Sequence, residues 1–117
     1  MVQITRRGEP VNTSGELPAV NTVAPDFRLV AEDLSDKSLE DFAGRKKLLY
    51  IVPSLDTPTC ARSTKFLNEE LGGRDDVVVL IVAADLPYAM KRFCEAESTA
   101  DVVILSMMRS RQFAKDY

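Results

Sequence analysis

The amino-acid sequence predicts an α/β fold built on a parallel sheet. Two apolar segments, 47–52 and 77–83, are each followed by a segment in which apolar residues recur every three or four positions. A third apolar segment, 101–105, has the same strand character. Strands that alternate with helices require parallel pairing through right-handed crossovers, which gives the predicted class.

The first 25 residues lack this regular pattern. Turn-forming residues interrupt short extended pieces there, at Gly8, Pro10, Gly15, Pro18 and Pro25. This spacing predicts a peripheral hairpin followed by an irregular approach to the core. We therefore expect a single domain over residues 1–117, with the hairpin at about 1–25 and the core at about 26–117.

Two short elements are expected at the start of the core. Residues 26–30 alternate between polar and apolar side chains, which predicts a half-buried strand. Residues 38–44 predict a short helical turn closed by Gly44.

Residues 47–52 predict the first core strand, buried on both faces because the run is almost continuously apolar. Thr57 can cap the helix that follows, with Pro58 at its first position, where a missing N–H costs nothing. The helix is expected to end at glycines 72 and 73. Its buried face carries Cys60, Thr64, Leu67 and Leu71.

Residues 77–83 predict a second buried strand, rich in β-branched residues. Asp85 can cap a second helix that has Pro87 in its first turn. The apolar face of this helix carries Leu86, Met90, Phe93 and Cys94. A third strand at 101–105 and a helix at 110–117 complete the pattern. Three core strands would leave a poorly covered sheet edge, so we expect a C-terminal part to be missing.

Composition narrows the classes of partner. The 117 residues are 45% hydrophobic and carry a net charge of −3. The basic cluster at 45–47 has no interleaved aromatic residue, so a solvated loop is favoured over a nucleic-acid surface. The longest apolar run, 77–84, is too short to cross a bilayer, and the N-terminus lacks a secretory signal. We expect a soluble, cytoplasmic protein that binds neither nucleic acid nor membranes.

The chain contains two cysteines and no histidine. Histidine-dependent triads are therefore excluded within it, and too few Cys and His ligands exist for a zinc site, so no metal or other cofactor is expected. Cys60 falls in the first turn of a helix, where unpaired N–H groups and the helix dipole favour a thiolate. This position indicates a nucleophile. Alternatively, Cys60 is a small buried hydrophobe and Thr57 an ordinary cap, which does not explain a thiol at an electropositive helix start.

The spacing of Pro53, Thr57 and Cys60 suits peroxide reduction. Thr57 precedes the cysteine by one helical turn, so its hydroxyl can reach the sulfur or a bound peroxide. Pro53 can shield the sulfur from water and from over-oxidation. Backbone N–H groups of the first turn can stabilise the departing oxygen.

Several segments together resemble the bacterial thiol peroxidases, which are atypical two-cysteine peroxiredoxins with a thioredoxin-like fold. The likeness covers essentially the whole chain and is carried by residues 29–36, 42–44, 53–60, 84–87 and 92–94. It implies that Cys60 is the peroxidatic cysteine, Thr57 its hydrogen-bonding partner and Pro53 a pocket wall, with Cys94 as the resolving cysteine.

The resemblance also implies a reaction cycle. Hydrogen peroxide or an organic hydroperoxide would oxidise Cys60, an intramolecular Cys60–Cys94 disulfide would follow, and thioredoxin would reduce it. Members of the family commonly form homodimers. Taken from the residues alone, the position of Cys94 on an apolar helix face favours a core cysteine, and its pairing with Cys60 comes mainly from the resemblance.

The sequence departs from the family in length. Family members continue for several tens of residues beyond the position of Tyr117, and that part supplies strands, a helix and an arginine that contacts the peroxidatic sulfur. None of the candidates, Arg62, Arg92, Arg109 and Arg111, matches this arginine. The predicted fold is thus thioredoxin-like and incomplete at the C-terminus.

Two other functions are compatible with the sequence. A non-catalytic thioredoxin-like fragment could dimerise or bind partners through the uncovered apolar edge. A dithiol–disulfide exchanger is the weaker alternative, because the chain has no Cys-x-x-Cys pair.

Overall fold

A computed structural model describes residues 2–117 and shows a five-stranded mixed sheet beside a separate two-stranded hairpin. The sheet order is β4-β3-β7-β6-β5, in which β5, β6 and β7 are parallel and β3 and β4 are antiparallel additions. The strands are β1 (Gln3–Arg6), β2 (Glu9–Asn12), β3 (Leu29–Val30), β4 (Asp36–Lys37), β5 (Lys46–Ile51), β6 (Val77–Ala83) and β7 (Val103–Ser106). The helices are α1 (Pro58–Leu71), α2 (Pro87–Glu97) and α3 (Gln112–Asp116), with a 3₁₀ turn at Leu39–Phe42.

The N-terminal hairpin pairs β1 with β2, with Gln3 opposite Asn12. Its turn residues Arg7 and Gly8 both have positive φ, at 51° and 86°. This is the geometry of tight hairpin turns whose twist matches that of the flanking strands. Both strands are exposed, so the hairpin lies outside the core.

The strand expected at 26–30 is shorter than predicted. Phe27 and Leu29 are buried and Arg28 is exposed, as the alternation indicated. The Asp26 carboxylate, however, accepts the backbone N–H groups of Phe27 (2.9 Å) and Leu39 (3.1 Å). Backbone groups next to Asp26 thus bond to a side chain instead of a strand partner, and the ladder is confined to residues 29–30.

The prediction that the first core strand is buried on both faces was wrong. β5 is the last strand of the sheet, and Leu48 and Ile51 remain 38% and 46% exposed. No described residue pairs with its outer edge. A continuous apolar run indicates that both faces of a strand can be buried. At this edge of the sheet, too few neighbouring residues cover β5 to bury them.

Alternate side chains of β6 point into two apolar clusters on opposite faces of the sheet. One cluster packs beneath α1 and α2, and its buried members are Val52, Leu55, Cys60, Val79, Ile81, Ala83, Met90, Val102 and Ile104. The other is covered by α3 and includes Phe27, Leu29, Leu80, Val82, Leu105 and Phe113. On that face, the rings of Phe113 and Tyr117 stack at 4.6 Å.

The predicted start and end of α1 are confirmed. Thr57 caps the helix, Pro58 is its first residue, and Gly72 follows its last. Gly73 has a φ of 80°, a conformation that glycine adopts without strain. The last strand and helix, at 103–106 and 112–116, lie within a few residues of the predicted 101–105 and 110–117.

The prediction that Asp85 caps the second helix was wrong. The cap position is Leu86, which supplies no side-chain hydrogen bond and is 55% exposed, so it does not belong to the buried face either. Within residues 2–117, the helices are too short or too polar to cross a membrane.

Candidate active site

Cys60 is the third residue of α1 and lies beyond the carboxyl end of β5. The loop 52–57 connects the two elements. Only 9% of Cys60 is exposed, and its side chain belongs to the apolar cluster beneath α1 and α2. The structure therefore places this thiol where a helix start and an apolar wall meet.

The first turn of α1 has few free backbone donors. Pro58 has no N–H, and the Cys60 N–H donates to the Thr57 hydroxyl oxygen at 3.3 Å. The Ala61 N–H donates to the Thr57 carbonyl at 2.9 Å. The Thr59 N–H is left as the first-turn amide that can face an incoming anion or peroxide oxygen.

The Thr57 hydroxyl both accepts and donates. It accepts the Cys60 N–H and donates its proton to the Ser54 carbonyl at 3.2 Å. To donate to the Cys60 sulfur or to a peroxide, the hydroxyl must rotate away from Ser54. That rotation exchanges one hydrogen bond for another and leaves the cap intact.

Asp85 fixes the loop that carries Pro53 and Thr57. Its carboxylate accepts the N–H of the buried Leu55 at 2.8 Å. Its carbonyl accepts the hydroxyl proton of Ser106, which is fully buried at the end of β7. Asp85 thus ties together the carboxyl ends of β5, β6 and β7, the edge at which parallel sheets place their functional loops.

Pro53 is exposed. Arg109 bonds to the Leu34 carbonyl (3.3 Å) and the Asp36 carboxylate (3.4 Å), far along the sheet. Arg92 lines a cleft of about 510 Å³ between the loop 54–56 and α2. Among the described residues, no arginine hydrogen-bonds to Cys60.

Cys94 lies in the last turns of α2 and is half-buried. It packs against the apolar cluster that contains Cys60 and also lines a separate cleft of about 420 Å³. Burial raises the pKa of its thiol, and the carboxylates of Glu32 and Glu95 add to the rise.

The fold brings both cysteines to one face of the sheet, where α1 and α2 share a single apolar cluster. Both thiols are free. Among residues 2–117, no three Cys, Asp or Glu side chains are grouped to hold a metal ion. The site thus combines two thiols, the start of α1 and a loop that is fixed by the bond from the Leu55 N–H to the Asp85 carboxylate.

Two features of this region were missed by sequence reasoning. Asp85 was interpreted as a helix cap although it clamps the neighbouring loop. A carboxylate directly after a buried strand, beside a loop that needs acceptors, was the available signal. Thr99 was not singled out at all, because its proximity to Cys94 depends on how the chain turns after α2.

Sequence comparisons connect this geometry to known proteins. A profile of the Redoxin family matches residues 19–117. A thiol peroxidase from Streptococcus agalactiae is 46% identical over 110 residues, which cover 94% of this chain and 67% of that relative. A thiol peroxidase from Leptospira interrogans is 43% identical over 119 residues, covering the whole of this chain and 70% of that relative.

Solved structures show the same fold. A peroxiredoxin-like protein from Aquifex aeolicus superposes with a TM-score of 0.83 at 36% identity, over 97% of this chain and 66% of that one. A thiol peroxidase from Chromobacterium violaceum superposes with a TM-score of 0.81 at 22% identity, which supports the fold alone. The chain spans about two thirds of the length of these relatives.

A cysteine at the start of the helix after a parallel strand, on a thioredoxin-like sheet, fits the peroxiredoxin class that these relatives indicate. The chain belongs to the Redoxin family and, within it, to the thiol peroxidases, which are peroxiredoxin enzymes. The resemblance predicted from the sequence is confirmed, as are the α/β class and the thioredoxin-like fold.

Proposed function

We propose that this chain reduces hydrogen peroxide and organic hydroperoxides through Cys60, with Cys94 as the resolving thiol and thioredoxin as the reductant. The observation that carries the proposal is the position of Cys60, a thiol at the capped start of α1 with the Thr57 hydroxyl one turn before it. The thiol peroxidase relatives support the same activity.

The first step is attack by the Cys60 thiolate on one peroxide oxygen. The O–O bond breaks, the departing oxygen takes a proton and leaves as water or an alcohol, and Cys60 becomes a sulfenic acid. The peroxide gains the two electrons that the sulfur loses. The Thr59 N–H and the reoriented Thr57 hydroxyl supply donors for the oxygens as charge develops on them.

The second step joins the two sulfurs. Cys94 attacks the Cys60 sulfur, the S–O bond breaks, and hydroxide takes up a proton to leave as water. Both cysteines pack on one apolar cluster, which supports a disulfide between them within one chain. A thioredoxin dithiol then restores both thiols and becomes a disulfide itself.

Peptide mapping after one equivalent of cumene hydroperoxide tests the reaction. The expected product is a linked pair of peptides containing Cys60 and Cys94, lighter by two hydrogens than the separate peptides. Cys94→Ser should instead accumulate a sulfenic acid on Cys60 that dimedone traps. Oxidation confined to Cys94, or disulfides only between chains, would contradict the mechanism, and reduction by glutathione but not thioredoxin would contradict the reductant.

A second candidate function is association between two copies of the chain. β5 leaves its outer backbone groups unpaired, and Phe66 of α1 is 59% exposed beside it. A cleft of about 480 Å³ between them is lined mainly by apolar side chains, those of Leu48, Tyr50, Phe66 and Leu67. Antiparallel pairing of two β5 edges would satisfy the backbone groups and bury this surface in a symmetric interface. It would also keep the lysines at the start of each β5 apart.

Light scattering at increasing concentration tests this association. We expect a dimer whose mass falls to that of the monomer in Phe66→Glu, because a carboxylate at the centre of the interface would be desolvated. Tyr88→Glu, which alters another exposed aromatic residue on α2, should remain dimeric. A monomer at every concentration, or equal losses in both variants, would exclude the β5 interface.

A further inference from the structure

Two buried threonine hydroxyls have no hydrogen-bond partner among the described residues, Thr64 and Thr99. Each follows a cysteine closely, Thr64 four residues after Cys60 within α1 and Thr99 five residues after Cys94, just beyond α2. An unpaired buried hydroxyl costs free energy, so such groups call for an explanation. For Thr99, the local geometry supplies one.

Thr99 is 1% exposed and lines the same cleft of about 420 Å³ as Cys94. Its backbone N–H donates to the Cys94 carbonyl at 3.0 Å. The turn is closed by Ser98, which has a left-handed conformation with a φ of 55°. These constraints keep the Thr99 side chain in the cleft that Cys94 also lines, and no described residue accepts its hydroxyl proton.

We propose that Thr99 is a positioning residue for Cys94, whose hydroxyl donates to the sulfur as the thiolate forms and so promotes the resolving step. This inference rests on the proposed peroxidase function for its role in turnover. The proposed bond from the Thr99 hydroxyl to the Cys94 thiolate does not depend on that function.

Two of the three charged residues that line the cleft are carboxylates, which disfavour a thiolate at Cys94. Glu95 and Lys91 face Cys94 from α2, and Glu32 faces it from the loop after β3. The lining residues from the 99–104 segment carry no ionisable group. Burial and the two carboxylates raise the pKa of Cys94. A neutral donor becomes a stronger partner once the sulfur is charged.

The thiolate form of Cys94 is therefore disfavoured in the reduced chain, and the Thr99 hydroxyl stabilises that thiolate when it forms. The Cys94 thiolate attacks the sulfenic sulfur of Cys60, the S–S bond forms, and the S–O bond breaks to release water. The Thr99 hydroxyl keeps its proton throughout. Its contribution is to increase the fraction of Cys94 present as thiolate at a given pH.

The test is the pH profile of alkylation at Cys94, read by peptide mapping so that Cys60 is scored separately. Thr99→Val removes the donor at almost constant volume. We expect the midpoint to move up by about one pH unit, so alkylation below the midpoint falls by about tenfold. Thr99→Ser keeps a hydroxyl and should stay within about twofold of the original chain. Thr99→Ala serves as a second variant without the hydroxyl if valine disturbs folding.

The matched control is Thr64→Val, which removes the other unpaired buried hydroxyl. It should leave the Cys94 profile unchanged. An unshifted profile in Thr99→Val and Thr99→Ala, or an equal shift in Thr64→Val, would overturn the role of Thr99. A second readout is disulfide formation after one equivalent of peroxide, which should slow by about tenfold near neutral pH in Thr99→Val while Cys60 oxidation keeps its rate. If peroxide oxidises neither cysteine of the original chain, the peroxidase proposal fails, and the alkylation profile still decides the role of Thr99.

Discussion

Replacement of Cys60 by serine is expected to abolish peroxide turnover, with a loss of about a thousandfold or more. A serine oxygen cannot take the place of the sulfur, because an alcohol is not oxidised by peroxide as a thiolate is oxidised to a sulfenic acid. The surrounding helix start can stabilise a thiolate but cannot deprotonate an alcohol at neutral pH. Consumption of hydrogen peroxide in a thioredoxin-coupled assay measures the effect.

The control for this loss is Cys94→Ser. That variant should fail in repeated turnover yet consume about one equivalent of peroxide at the original rate, since Cys60 is intact. The two serine variants together separate attack on the peroxide from resolution. Persistence of turnover in Cys60→Ser would disprove the assignment of the nucleophile.

Replacement of Met90 by alanine is expected to destabilise the fold by about 2–5 kcal/mol. Met90 is fully buried on α2 and packs in the cluster that also contains Cys60. Truncation leaves a cavity between α2 and the sheet that neighbouring side chains fill only in part. Since small domains are stable by only roughly 5–15 kcal/mol, the melting temperature should fall by at least about 10 °C.

Tyr88→Ala is the matched control for the Met90 variant. Tyr88 lies two residues earlier on α2 but is 66% exposed, so its removal should change stability by no more than about 0.5 kcal/mol. Thermal unfolding followed by circular dichroism measures both variants. Equal shifts in the two would show that α2 does not pack on the sheet through Met90.

The strongest local signals of the sequence predicted the elements that hold Cys60. Thr57 and Pro58 mark the start of α1, and the glycines at 72 and 73 mark its end, because caps and breakers act within one turn. The β-branched run at 77–83 matched β6 residue for residue. These elements are determined mainly by residues adjacent in the sequence, so the sequence alone is enough to predict them.

Elements that depend on distant partners were predicted less well. Asp85 has the chemistry of a helix cap, and only the approach of the Leu55 amide from another loop makes it a clamp. β5 has the composition of a central strand, and its place at the sheet edge follows from which strands pair with β6. The roles of Pro53, Thr57, Cys60 and Cys94 remain proposals that the experiments above test.

The sequence by itself determined that this chain is an α/β protein with a cysteine at a capped helix start and no histidine to assist it. Local hydrogen bonds and hydrophobic periodicity are enough to predict these features, since both depend only on residues that are close in the sequence. The tertiary structure decided that Cys94 packs on the same apolar cluster as Cys60 and that Thr99, with an unpaired hydroxyl, lines the same cleft as Cys94. Such contacts arise from the way α1 and α2 pack on one face of the sheet, and the sum of many weak packing interactions sets that geometry.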